Sequence, residues 1–301
     1  MRVRRTLMFV NGYQRDKLEQ AIASNVDCVV LELEDLCPPH MKEAARAGAV
    51  DALTNLDFRG KERIVRINDP RTPLGKADLA AILPARPDAL RLPKCDTVEY
   101  VLDVDRQIAQ AEEKYGFEPG SIELILVIEN PLGVKNMYDL ACCCPRVTGL
   151  NLGAGDMTSA MGVERDLTPG STQLLYVKQK MIMASKLAGI QAHDTTVASP
   201  DPNDPALEEF VREDTKNDKI MGFTGRSVSM FSHIDIINAI YAPTREEYEL
   251  AKKLIDGYQA AVDNGETGDV WIDGHFVDNP VLTMSQRLID YYEQIKAKEA
   301  M

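Results

Sequence analysis

Short apolar runs rich in β-branched residues alternate along the chain with longer amphipathic stretches. This alternation is typical of strand–helix units that build a parallel sheet. The apolar runs predict eight strands, at residues 6–10, 28–33, 63–67, 89–92, 123–128, 147–152, 189–193 and 219–223. The amphipathic stretches predict helices, among them 16–24, 41–53, 97–115 and 172–188. Since eight such units close a ring, we predict the α/β class and a TIM (β/α)8 barrel.

An open, doubly wound sheet is the alternative architecture. Such a sheet usually carries a glycine-rich phosphate-binding turn after its first strand. The candidate in this chain, Asn11-Gly12-Tyr13, is a weak version of that turn. The barrel is therefore the favoured interpretation.

The chain continues beyond the eighth predicted unit, with helical stretches at 245–264 and 280–298 and a turn-rich segment between them. We predict two parts, a catalytic barrel at 1–242 and a C-terminal helical extension at 243–301. The extension suits a lid that contributes to an oligomer interface, and it suits equally a helical cap over apolar barrel surface.

Composition and charge exclude several classes of protein. The chain is 45% hydrophobic and 27% charged, as in ordinary globular enzymes. Its net charge of −13 disfavours nucleic acid and anionic membranes as partners. No apolar stretch is long enough to span a bilayer, and the first residues lack the apolar run of a signal peptide. Three of the six cysteines are adjacent, at 142–144, which suits a reducing compartment, so we expect a cytoplasmic enzyme.

Polar side chains follow most of the predicted strands, at the barrel edge where active sites form. Each of them taken alone can be explained as a solvated loop residue, but their convergence at one edge predicts a site. The candidates are Glu32, Glu34, Asp35, Arg66, Asn68, Lys94, Glu129, Asn130 and Asp156.

Glu129 and Asp156 are the candidate metal ligands. They follow neighbouring strands, and magnesium (Mg2+) typically takes one or two carboxylates while keeping sites for water and substrate oxygens. The small residues of Gly153-Ala154-Gly155 allow a sharp bend that brings Asp156 inward. Asp156 has an alternative role as the N-cap of a helix starting at Met157.

Arg66 ends an apolar strand, where an unpaired guanidinium is costly, so it requires an anion. A substrate carboxylate is favoured over a nearby acid because a guanidinium matches a carboxylate bidentately. Among Glu32, Glu34 and Asp35, we expect one to order Arg66 or Lys94 and another to bond metal-bound water, with helix capping as the alternative.

Several motifs in order resemble the citrate lyase beta subunit (CitE-like) family of the HpcH/HpaI aldolase and malyl-CoA lyase superfamily. They are Leu33-Glu34-Asp35 with Lys42 and Arg46, Arg66-Ile67-Asn68, Leu92-Pro93-Lys94, Glu129-Asn130, Gly153 with Asp156, and Val277-Asp278-Asn279-Pro280. The resemblance spans nearly the whole chain and is specific for the superfamily rather than for one substrate.

The resemblance implies magnesium held at Glu129 and Asp156, with Arg66 contacting the substrate. We predict that Asn68 and Lys94, together with Glu129 and Asp156, also contact the substrate. The resemblance also implies a homo-oligomer, a trimer or hexamer, in which Asp278 serves as a catalytic acid in a neighbouring subunit. In the absence of such a role, Asp278 would cap the final helix. Two positions depart from the family. Glu32 stands where the family usually has an aspartate. The segment from Val228 to Phe231 stands where the family has Ile-His-Pro, which puts the family contacts of that segment in doubt.

These observations predict a magnesium-dependent carbon–carbon lyase. Its substrate would be a citryl-, malyl- or citramalyl-type thioester, carried by coenzyme A or an acyl-carrier protein, with Arg66, Asp278, Glu34 and Asp35 as catalytic residues. The alternatives are a pyruvate-type aldolase acting on free keto-acid adducts, and a beta-type subunit that works only inside a larger complex or is inactive.

Overall fold

The structure, a computed structural model, describes residues 2–169, 171–197, 206–265 and 270–300. The chain divides into two compact units, Arg4–Ala239 on the one hand and Met1–Val3 with Ile240–Met301 on the other.

The larger unit is built on a closed barrel of eight parallel strands in sequential order. The first strand pairs with the second and with the eighth, which closes the ring and confirms the predicted fold. The strands are β1 Thr6–Asn11, β2 Cys28–Glu32, β3 Glu62–Arg66, β4 Ala89–Leu92, β5 Glu123–Ile128, β6 Val147–Leu152, β7 Gln191–Asp194 and β8 Gly225–Val228.

Helices follow the strands, as the amphipathic stretches predicted. In this unit they are α1 Arg15–Ala23, α2 Lys42–Asn55, α3 Pro73–Ile82, α4 Val98–Tyr115, α5 Pro131–Lys135, α6 Met137–Cys142, α7 Ala154–Ala160, α8 Leu175–Ala188, α9 Leu207–Met221 and, reaching its boundary, α10 Ser232–Tyr241. Helix α4 shows why such ends are readable from sequence. Thr97 accepts a hydrogen bond from the backbone of Tyr100 at its start, and Gly116 adopts the left-handed conformation at its end.

The eighth strand is the one serious error of the sequence-based prediction. The apolar run at 219–223 belongs to the end of α9 and the turn after it, and the strand is Gly225–Val228. That strand carries the fully buried Arg226, whose ion pair with Asp214 of α9 is invisible in a hydrophobic pattern. The other strands match their predicted bounds within two residues or fewer.

The barrel interior is filled by alternate residues of the strands. A buried apolar cluster occupies its middle, consisting of Leu7, Phe9, Cys28, Val30, Ile64, Ala89 and Ile125. Two residues further along three of these strands, the same inward face carries Glu32, Arg66 and Arg91. The apolar cluster thus forms the floor beneath a polar layer at the carboxyl end of the barrel.

The smaller unit contains α11 Arg245–Asp263, the two-stranded antiparallel pair β9 Val270–Ile272 and β10 His275–Val277, and α12 Asn279–Glu299. Thr244 and Glu247 form a capping box at the start of α11. Tyr248 and Tyr292 stack between the two helices with their ring centroids 4.4 Å apart. Among the helices of the described residues, none is long and apolar enough to cross a membrane.

Candidate active site

Glu129 is the centre of the polar cluster at the carboxyl end of the barrel. It follows β5, is 5% exposed, and accepts a hydrogen bond of 2.6 Å from the backbone N–H of Lys94. A Cβ placed on Gly153 would lie 2.5 Å from Glu129 Cβ and would also overlap its Oε2. The absence of a side chain at Gly153 is therefore what makes room for this carboxylate.

The surroundings of Glu129 favour its protonated form. The pKa of Glu129 is raised to about 8, by burial first and also by the charges of Glu34 and Asp156, against a lowering effect of the Lys94 backbone N–H and of Arg66. The three acids therefore share one small region, and their mutual repulsion is not fully compensated by protein groups.

Asp156 lies in the first turn of α7 and is half-buried. The N-cap of that helix is Gly153, three residues earlier, so the alternative in which Asp156 caps a helix starting at Met157 is wrong. The helix begins early enough to place Asp156 inside it, on the side where its charge acts on Glu129 and Lys94.

This set of groups fits magnesium. Two carboxylates on neighbouring strand ends, a third acid nearby and a glycine that leaves space around one of them are the donors and the room that a hard cation needs. A bound divalent ion would also relieve the repulsion that raises the pKa of Glu129.

A second acidic cluster of the barrel unit consists of Asp194, Asp214 and Asp218, whose oxygens lie within 4.8 Å of one another. Lys178 Nζ lies 2.9 Å from carboxylate oxygens of both Asp194 and Asp218, and Arg226 lies 2.8 Å from Asp214. Two cations therefore already supply the charge that a metal ion would bring. The groups around Glu129 therefore fit a magnesium ion better than this second cluster does.

Arg66 is held by acids and yet keeps a free donor. Its Nε donates to Glu32 Oε2 over 2.6 Å, and one terminal nitrogen lies 3.4 Å from Glu34 Oε2. Its other terminal nitrogen, Nη2, is buried and has no hydrogen-bond partner within the described ranges. The contact with a nearby acid is therefore present, since the ion pair with Glu32 fixes the guanidinium, and the predicted contact of Arg66 with a substrate carboxylate stays a prediction.

Lys94 faces the same cluster from the end of β4. Its backbone has φ of 54°, the left-handed conformation that a bulky residue adopts at a cost, and this turn aims its N–H at Glu129. Its Nζ lies 3.5 Å from Glu34 Oε1. Burial lowers the pKa of Lys94, but Glu34, Asp35, Asp156 and Glu129 outweigh it, so the net pKa is raised and the side chain is cationic.

Asn68 serves the scaffold around the site. Its side-chain nitrogen donates to the Leu33 carbonyl and to Asp78, and its oxygen accepts from Lys42 Nζ at 2.9 Å. Lys42 also donates to the Leu33 and Glu34 carbonyls and so fixes the end of β2. These contacts occupy the Asn68 amide, and its predicted contact with substrate stays a prediction.

Asp35 and Asp278 are the two remaining predicted residues. Asp35 is exposed, and its N–H donates to Glu34 Oε2 over 3.0 Å. Asp278 belongs to the smaller unit, where it caps α12 by accepting from the Val281 N–H at 3.0 Å. The capping role is thus present, and the predicted catalytic role of Asp278 stays a prediction.

The sequence-based search missed Arg91 and Phe9. The guanidinium carbons of Arg66 and Arg91 lie 4.7 and 4.6 Å from the centroid of the Phe9 ring. A signal for Arg91 was present, because it interrupts the apolar strand β4 as Arg66 ends the apolar strand β3.

Comparison with known proteins places this architecture in a family. A sequence profile described as HpcH/HpaI aldolase/citrate lyase matches residues 5–230. The chain is similar to the citrate lyase subunit beta of Escherichia coli K12, at 34% identity over 97% of this chain and 94% of that protein. It is also similar to the (3S)-malyl-CoA thioesterase of Cereibacter sphaeroides, at 27% identity over 98% of this chain and 97% of that protein.

Among solved structures, the chain resembles the CitE protein of Mycobacterium tuberculosis in complex with magnesium, acetoacetate and coenzyme A. The TM-score is 0.74 at 23% identity, and the match covers 96% of this chain and 98% of that one. At this identity the likeness shows the shared barrel fold.

Proposed function

The chain belongs to the HpcH/HpaI aldolase/citrate lyase family as a lyase, and on that premise we propose that it cleaves a citryl-, malyl- or citramalyl-type thioester with magnesium as cofactor. The products are an acetyl-type thioester and a 2-keto acid. The names of its relatives support coenzyme A as the carrier, with an acyl-carrier protein as the alternative.

The observation that carries this proposal is that acids whose mutual repulsion is not fully offset lie near an arginine with an unbonded nitrogen. Glu129 and Asp156 would hold the metal, and Arg66, whose charge acts on Glu129, keeps an unbonded Nη2. A 2-keto acid presents a carboxylate and a carbonyl oxygen side by side, which is the pair of groups that such a site binds.

The residues of this chain divide the chemistry as follows. Glu129 and Asp156 would hold the magnesium ion, which would supply Lewis-acid chemistry at the oxygen that becomes the keto carbonyl. Arg66 binds the substrate carboxylate, held in place by Glu32. Glu34 and Asp35 order the cations, since Glu34 lies within 3.5 Å of both Lys94 and Arg66.

A direct assay tests the reaction. The protein is incubated with citryl-, malyl- and citramalyl-thioesters of coenzyme A and of an acyl-carrier protein, with magnesium or with EDTA, and 2-keto acid and free thiol are measured in the same samples. A lyase forms keto acid without free thiol, and EDTA abolishes it. The absence of keto acid from every thioester would refute the proposal.

Two variants calibrate this assay. Glu129→Gln should be inactive, because it removes one of the few charged ligands of a hard cation. Glu113→Gln, at an exposed position of α4, is the matched control and should keep parental rates.

A thioesterase is the second candidate, because one relative is named (3S)-malyl-CoA thioesterase. It would release free thiol and no keto acid, so the same samples separate the two. A pyruvate-type aldolase would instead cleave free keto-acid adducts. A complex-dependent subunit would turn over substrate only when its partner subunits are added.

We also propose that Asp278 acts as a catalytic acid in the active site of a neighbouring copy, within a trimer or hexamer. The pair β9–β10 directly before it presents the tilted rings of Trp271 and Phe276, which are 64% and 42% exposed. Apolar groups of this size commonly mark a contact surface.

Subunit mixing tests the shared site. Inactive Asp278→Asn and inactive Glu129→Gln are mixed under conditions that exchange subunits, and exchange is verified by mass. Partial recovery of activity is expected in hybrids, since some sites then combine two intact halves. A monomeric mass in solution, or no recovery despite proven exchange, would overturn the proposal.

A further inference from the structure

Arg91 is a buried arginine that has no carboxylate at hydrogen-bond distance in the described residues. It lies on β4, is 3% exposed, and its Nη1 donates to Ser227 Oγ of β8 at 2.9 Å. Its Nε is buried without a hydrogen-bond partner in the part of the chain that the structure describes. The side chain therefore crosses the barrel interior toward the strand opposite and uses few of its donors.

The other buried arginines differ in this respect. Each has a carboxylate at hydrogen-bond distance: Arg4 with Glu62 at 2.6 Å, Arg5 with Asp27 at 2.8 Å, Arg66 with Glu32 at 2.6 Å, Arg146 with Glu112 at 2.5 Å and Arg226 with Asp214 at 2.8 Å. Arg91 is the exception among the buried arginines of the described residues. An unpaired buried charge is expensive, so a fold that retains one has a reason to do so.

The position of Arg91 points to the active site. Arg66 and Arg91 are register partners on neighbouring parallel strands, so their side chains enter the barrel side by side. Both guanidinium groups contact the same Phe9 ring. The pKa of Arg91 is lowered to about 9, by burial first and then by the charge of Arg66, against a raising effect of Glu32, Glu129 and Glu34. An anion beside both groups would relieve this repulsion.

We propose that Arg91 binds a second carboxylate on the keto-acid half of the substrate, so that the chain selects thioesters whose departing keto acid is a dicarboxylate. This inference rests on the proposed function and names the substrate class of the same site. Arg66 receives the carboxylate next to the reacting carbon, and Arg91 receives the distal one. A monocarboxylate would leave Arg91 buried and unpaired, which is how a polar site rejects a ligand that lacks the matching group.

The alternative role is purely structural, with Arg91 filling the barrel between Phe9 and Ser227. A structural role predicts that substitution lowers stability and weakens all ligands alike. A binding role predicts a loss confined to dicarboxylates.

Calorimetry with two keto acids separates these roles without any turnover. Oxaloacetate and pyruvate are titrated into the parent and into Arg91→Gln in the presence of magnesium. The parent should bind oxaloacetate more tightly than pyruvate, and the variant should lose roughly 10- to 100-fold for oxaloacetate while pyruvate changes less than about threefold, as expected for hydrogen bonds to a charged group. Equal losses for both acids, or a parent without preference, would overturn the proposal.

Two further measurements keep the test decisive. If Arg91→Gln does not fold, Arg91→Lys keeps the charge without the planar fork and should weaken oxaloacetate selectively to a smaller extent. Citryl- and citramalyl-thioesters are then compared as substrates, and the variant should lose the parental preference for the citryl compound. Selective binding of oxaloacetate without cleavage of any thioester would refute the lyase function and leave the role of Arg91 supported.

Discussion

Glu129→Gln should make the metal-free protein more stable while removing its response to magnesium. Between pH 4.5 and about 8, folded Glu129 holds a proton that the unfolded chain has lost. Unfolding then releases this proton, so the free energy of unfolding falls as pH rises through that window. At about 1.4 kcal/mol per pH unit, the buried carboxyl costs the folded state roughly 3 kcal/mol by pH 7.

Glutamine has no such dependence, and its side-chain oxygen can still accept from the Lys94 N–H. In EDTA, the variant should therefore match the parent near pH 5 and exceed it at pH 7 by up to about 3 kcal/mol, seen as a Tm several degrees higher. Magnesium at 100 times its Kd should stabilise the parent by about 2.7 kcal/mol and leave the variant unchanged.

Thermal unfolding at pH 5, 6, 7 and 8, with EDTA or magnesium, measures both effects. Glu113→Gln is the control for loss of one exposed negative charge and should follow the parent. If metal-free Glu129→Gln is no more stable than the parent at pH 7, then other groups of the protein offset the destabilising effect of the buried Glu129 charge. Equal stabilisation of variant and parent by magnesium would remove Glu129 from the ligand set.

Three further outcomes are expected. Arg66→Lys should lower kcat/KM roughly 10- to 100-fold, because an ammonium cannot bond Glu32 and a carboxylate in the fixed geometry of a fork; near-parental kinetics would make Arg66 a structural ion pair. Gly153→Ala should weaken magnesium binding in calorimetry by displacing Glu129, whereas Gly155→Ala, with open space around its Cβ position, should not; equal effects would contradict the role of Gly153 in making room for Glu129. Burial holds the pKa of His193 well below 6.5, so below that pH the unfolded chain binds a proton there that the folded chain does not. As the pH drops below 6.5, the free energy of unfolding should therefore decrease by up to about 1.4 kcal/mol per pH unit. His193→Gln should flatten that slope in denaturation curves, and an unchanged slope would assign it to other groups.

The sequence alone was sufficient for the barrel and for most of the polar layer. Apolar runs such as β5 and β6 are buried on both faces, which makes them continuous and easy to recognise. Because parallel strands end at one edge, Arg66, Lys94 and Glu129 could be assigned to one site from their positions after those runs.

Only the tertiary structure shows which charged and polar groups pair with one another. The strand at Gly225–Val228 escaped prediction because its buried Arg226 is neutralised by acids of α9, a helix that precedes it in the chain. The bond from the Lys94 backbone to Glu129 depends on a left-handed turn that a sequence pattern does not encode.

Arg91 shows most clearly what the sequence alone does not predict. The sequence shows that Arg91 lies in an apolar strand. Whether Arg91 forms an ion pair with an acid depends on every side chain that enters the barrel from the other strands. Six arginines are buried in the described residues, and contacts between distant segments pair five of them with carboxylates. Local patterns determine where a strand ends and which residues face inward, whereas the balance of buried charge is a sum over neighbours that only the closed barrel brings together.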